Sequence, residues 1–141
     1  MTATRLACAL AMTVCPPTAA FAQARAKADV ACRPTGTVLQ YDCTIALTNA
    51  RTNEPLGGVT LTVGADMPSM PMMHNVRPVT ATPAAPAGTY LARVTLEMHG
   101  DWAVQLNLSG PLRDRVVTVI RFDPDTAAPA PAAKPPPRQK H

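Results

Sequence analysis

The sequence has 141 residues, of which 13 are Lys or Arg and 9 are Asp or Glu, for a formal charge of +4. That surplus would suit a nucleic-acid or membrane-surface partner, but it sits at Arg5, Arg25 and Lys27 and at Lys134, Arg138 and Lys140, while Val30 to Phe122 is nearly neutral. No basic stripe interleaved with aromatic residues is present, which excludes a nucleic-acid footprint; with both ends set aside, about one hundred residues remain, enough for one modest core and no second domain.

The chain opens with one positive charge, Arg5, and an apolar run from Leu6 to Val14 that Pro16 and Pro17 interrupt. A bilayer span needs ~18 apolar residues, so the run reads as the core of a secretion signal and not as a retained anchor. Ala20-Phe21-Ala22 forms an A-x-A cleavage pattern, with a second cut available after Ala24, and neither Cys8 nor Cys15 follows a lipobox. Residues 1–22 are expected to be removed, leaving a soluble periplasmic or secreted protein with no stable membrane insertion.

Residues 23–122 predict one all-β domain, with strands near Ala28–Cys32, Val38–Leu47, Val59–Val63 and Asn75–Thr80. A period of two is clearest in the next run, where Tyr90, Ala92, Val94, Leu96 and Met98 share one face and Arg93, Thr95 and Glu97 the other. The following run places Trp102, Val104, Leu106 and Leu108 inward, and Val116 to Phe122 closes the domain. Turn signals separate these runs at Pro34-Thr35-Gly36, Asn53 to Gly58, Pro83 to Gly88, His99-Gly100-Asp101 and Ser109-Gly110-Pro111. About seven short antiparallel strands at this spacing predict an immunoglobulin-like or cupredoxin-like β-sandwich, with Trp102 in its core or, alternatively, with its indole face against a cation. Cys32 and Cys43, the two cysteines left after signal removal, read as a disulfide in an oxidising compartment; two thiolates on a metal would require a reducing one. From Asp123 the sequence turns to Ala and Pro, and residues 123–141 read as a disordered tail.

The mature methionines are concentrated. Four lie within Met67-Pro68-Ser69-Met70-Pro71-Met72-Met73-His74, and the fifth is Met98, followed directly by His99. Thioether sulfur prefers cuprous ion and imidazole accepts either copper oxidation state, so this set points to copper; zinc would want Cys, His and carboxylates, and calcium or magnesium clustered oxygens. Pro68 and Pro71 hold Met67 and Met70 extended. Polyproline geometry would align Met67, Met70 and Met73, and strand geometry Met70, Met72 and His74. Because antiparallel connections alternate between ends, the 67–74 loop and the 98–100 turn should share one end of the sandwich.

These residues resemble the FixH and YtkA-like family of small exported or membrane-tethered sandwich domains. The likeness is carried by Asp42-Cys43-Thr44-Ile45, by Asp66-Met67-Pro68-Ser69-Met70-Pro71-Met72-Met73-His74, and by Gly88-Thr89-Tyr90 with Met98-His99-Gly100-Asp101-Trp102, spanning Cys32 to Phe122. It implies a β-sandwich associated with copper delivery, copper resistance or terminal-oxidase assembly. The chain departs from FixH in having a cleavable signal where that protein has a membrane anchor. The expectation is a periplasmic copper-binding module using Met67, Met70, Met72, Met73, His74, Met98 and His99, which passes ion to or from a copper donor, acceptor or membrane complex. The alternative is a metal-free interaction module that docks on a membrane or efflux partner through the Met-Pro loop. No nucleophile with a base and an orienting group can be assembled, so no enzyme is expected.

Overall fold

The computed structural model describes residues 24–131, and within them every regular element is a β-strand. In chain order these are β1 (Ala26–Pro34), β2 (Gln40–Asn49), β3 (Thr60–Asp66), β4 (Asn75–Thr80), β5 (Thr82–Ala84), β6 (Thr89–Thr95), β7 (Gly100–Ser109), β8 (Asp114–Phe122) and β9 (Ala127–Pro129). They form two antiparallel sheets, ordered β1-β2-β6-β5 and β4-β3-β7-β8-β9, so the expected sandwich is the observed architecture. The expected signal, residues 1–22 with Cys8 and Cys15, and the end of the expected tail, residues 132–141 with His141, lie outside the described residues.

Alternation builds the fold. Along β2, Tyr41, Cys43, Ile45 and Leu47 are buried while Asp42, Thr44 and Ala46 face out; along β7, Trp102, Val104, Leu106 and Leu108 do the same. Each sheet thus has one apolar face, and stacking the two removes both from water. Trp102, Tyr41, Tyr90 and Phe122 are at most 1% exposed; each withdraws about 150–250 Å², a gross gain of roughly 4–6 kcal/mol. Their polar tips are satisfied by carbonyls: the Tyr41 hydroxyl donates to Asp123 (2.7 Å), the Tyr90 hydroxyl to Leu56 (3.0 Å) and Trp102 Nε1 to Met98 (3.1 Å). Trp102 is therefore a core residue. Cys32 and Cys43 are register partners on the buried face of β1 and β2 and are joined by a disulfide, which removes them as metal thiolates.

The structure departs from the sequence pattern in four places. The second strand begins at Gln40 rather than Val38, which is 79% exposed in the preceding turn. β5 (Thr82–Ala84) overlaps the start of the Pro83–Gly88 stretch that predicts only a turn; it is an edge strand, and Pro83, with no N–H to give, is tolerated there. The segment assigned by composition to a disordered tail contains β9, paired with Ile120–Phe122. Backbone pairing along an open edge asks little of side chains, so Ala127–Pro129 carries no periodic signal for it. Finally, β6 ends at Thr95, which puts Met98 in the next turn instead of on the strand's inward face.

Strand direction sorts the connections. Segments 35–39, 67–74, 96–99 and 123–126 share one pole of the sandwich, tied there by the Leu96 amide donating to the Leu39 carbonyl (2.8 Å). Segments 50–59, 85–88 and 110–113, with residues 24 and 25, share the other.

Candidate metal centre

The inward phase of β3, which buries Leu61, Val63 and Ala65, runs on to Met67, only 4% exposed. The chain then folds through two successive turns, closed by the Met70 amide on the Met67 carbonyl (3.0 Å) and the Met73 amide on the Met70 carbonyl (3.2 Å). In the second turn Pro71 is followed by Met72 at φ +66°, the pattern of a type II turn in which a non-glycine residue bears left-handed strain. Neither alignment expected for this loop is adopted. The two turns send Met72 and Met73 into solvent, 85% and 76% exposed, and leave Met67 and Met70 facing one wall of a cleft.

The second loop is fixed from below. Its Met98 carbonyl is held by the buried Trp102 indole, so the ring that fills the core also sets where Met98 and His99 stand. Gly100 sits at φ +136°, and a Cβ built there would lie 3.1 Å from the Met67 methyl, so both backbone and space call for glycine. The two loops are also joined directly, by a contact between His74 Nδ1 and the Glu97 carboxylate. A carboxylate accepts a hydrogen bond from an Nδ1–H, so this pairing engages Nδ1 and leaves the other ring nitrogen, Nε2, outside the contact.

Met67, Met70, Met98 and His99 line a common cleft of about 740 Å³ at this pole, closed by Asp101, Val119 and Arg121 of the second sheet and by Ala130 and Pro131. Met70 and Met98 are 38% and 37% exposed, accessible to an ion without leaving the wall. His99 also lines an adjoining hollow beside Val38, Leu39 and Asp125. Asp101 is engaged: Arg121 donates to both its oxygens from Nε (2.7 Å) and Nη2 (3.0 Å), and this pairing holds the Asp101 carboxyl below the usual carboxylate range. Three thioethers and one imidazole are donors suited to a soft cation. Among the described residues no group of three or more His, Cys, Asp or Glu side chains gathers into a metal-sized cluster, at this cleft or elsewhere.

Of the seven residues expected at the site, the structure brings four to this cleft and sets Met72, Met73 and His74 outside its lining. Sequence reasoning missed Glu97, although it stands beside Met98-His99, because its partner is 23 residues away in the other loop. It also missed the wall supplied by Ala130 and Pro131, for which a low-complexity sequence offers no signal. A protein-family model described as YtkA-like matches residues 27–107. No curated protein and no solved structure matches the chain.

Proposed function

Because the chain belongs to the YtkA-like family, whose model covers the disulfide and both methionine loops, we propose that it is an exported periplasmic copper-binding protein that buffers or passes cuprous ion without chemical turnover. The observation that carries this reading is the convergence of Met67, Met70, Met98 and His99 from two separate loops on one cleft. Thioethers and neutral imidazole lose no proton on binding a soft ion, and the partial exposure of Met70 and Met98 suits a cargo that must be handed on. Glu97 would act behind the donors by holding the 67–74 loop to the 96–99 turn through His74.

Anaerobic titration of the protein with cuprous ion against a colorimetric chelator tests this. Met70→Leu, Met98→Leu and His99→Gln should each weaken binding, whereas Met72→Leu and Met73→Leu should leave it unchanged. Binding by the triple variant Met70→Leu, Met98→Leu, His99→Gln that equals wild type would remove the copper site. The exposure of Met72 and Met73 favours a second reading, in which the pole docks a protein partner without metal. In that case Met72→Ser and Met73→Ser impair function while cuprous binding is absent in every variant.

A further inference from the structure

The charges of the domain nearly cancel in sum, yet they are separated along the strand axis. At the pole that carries the cleft, the connections bear Glu97, Asp123 and Asp125 and no Arg or Lys, and the adjoining strand ends add Arg33, Arg93 and Arg121, of which Arg93 and Arg121 are paired with Asp42 and Asp101. The opposite pole carries Arg25, Lys27, Arg51, Arg113 and Arg115, all exposed. Two contacts draw four of these together. The Ala50 amide donates to the Arg25 carbonyl (2.8 Å), which places Arg51 beside the start of β1. The Ala26 amide donates to Asp114 Oδ2 (2.8 Å), which places Arg113 and Arg115 beside the same corner.

The nearby acids offset part of this patch and leave a net surplus of cations: the Asp114 carboxylate, 12% exposed, accepts from the main-chain amides of Ala26 and Arg115 and stands 3.9 Å from the Arg25 guanidinium, and Asp29 is exposed two residues after Lys27. Glu54 is the one exposed acid in the 50–59 connection, and it accepts from the Thr52 hydroxyl. We infer that this pole is a docking surface for a membrane rich in anionic phospholipid. A group of four to eight basic side chains gains about fivefold in partition per charge near such a surface. A nucleic acid is disfavoured: the aromatic residues of the described chain, Tyr41, Tyr90, Trp102 and Phe122, are all in the core, so no ring is available to stack a base. Strands of 9 to 10 residues separate the two poles by about 30 Å, so a molecule seated on its basic end holds the methionine cleft away from the lipid.

Co-sedimentation of the full chain with vesicles tests the inference, using phosphatidylglycerol mixed with phosphatidylcholine against phosphatidylcholine alone. Association is expected with the anionic vesicles only and is lost at about 0.5 M salt. Arg51→Gln with Arg113→Gln should lower the partition coefficient by roughly 25-fold; both side chains are exposed, so the fold is retained. Adding Asp125→Lys restores the net charge at the far pole and should not restore binding. Equal association with phosphatidylcholine vesicles, indifference to salt, or recovery on adding Asp125→Lys would overturn the inference. A contribution from residues 1–23 or from Lys134, Arg138 and Lys140 would appear equally in every variant, so binding unchanged by Arg51→Gln with Arg113→Gln would also overturn the inference.

Discussion

His74 and Glu97 show how one hydrogen bond can matter to a site whose cleft neither side chain lines. Glu97 holds Nδ1 of His74 and thereby clasps the 67–74 loop to the turn that presents Met98 and His99. A clasp fails completely when either half is removed. His74→Gln, Glu97→Gln and the double variant should therefore weaken cuprous binding by one common factor, about tenfold, in place of two multiplied losses. A chelator-competition titration of the four proteins checks this; multiplicative losses would mean that the two side chains act separately. Met72 illustrates the opposite case, a residue strained in its backbone and free in its side chain. Its left-handed φ belongs to the second turn, closed on the Met70 carbonyl, which carries Met72 and Met73 away from the cleft that Met70 lines.

At the level of strands, β1 and β2 are joined both by their ladder and by the Cys32–Cys43 bridge, with sequence separation 11. Closing a loop of that size stabilises the fold by about 3 kcal/mol through the unfolded chain. Neither cysteine lines the cleft, so Cys32→Ala with Cys43→Ala should lower the melting temperature by roughly 10–20 °C and leave cuprous affinity unchanged. Thermal unfolding and the chelator titration read the two effects separately. This hairpin and the five other long strands were legible in the sequence, most directly where alternation records a buried face, as along β2, β6 and β7. β5 and β9 were not, since three-residue edge strands are held by the backbone of a neighbour. The candidate site was legible in its residue types and in the pole it occupies. Which methionines face the cleft was not, because the turns of the 67–74 loop depend on Met72 accepting a positive φ that no periodic pattern encodes.

For the molecule as a whole, the sandwich separates two chemistries that its summed charge conceals. Soft donors and acidic loops occupy one end, where Arg93 and Arg121 are paired with Asp42 and Asp101, and the cluster of Arg25, Arg51, Arg113 and Arg115 lies at the other. The core makes the separation rigid, since Trp102 fills the interior and at the same time holds Met98, and Tyr41 joins β2 to the Asp123 carbonyl just after β8. The methionines of the described domain are also graded by exposure, from 85% and 76% at Met72 and Met73, through 38% and 37% at Met70 and Met98, to 4% at Met67. In an oxidising compartment that gradient becomes an order of chemical attack. Peroxide would reach Met72 and Met73 first, converting them to sulfoxides that methionine sulfoxide reductases can reverse, while Met67 is consumed last. Peptide mapping by mass spectrometry during timed oxidation should recover that sequence. The two outermost sulfurs would then serve as sacrificial scavengers for those behind them.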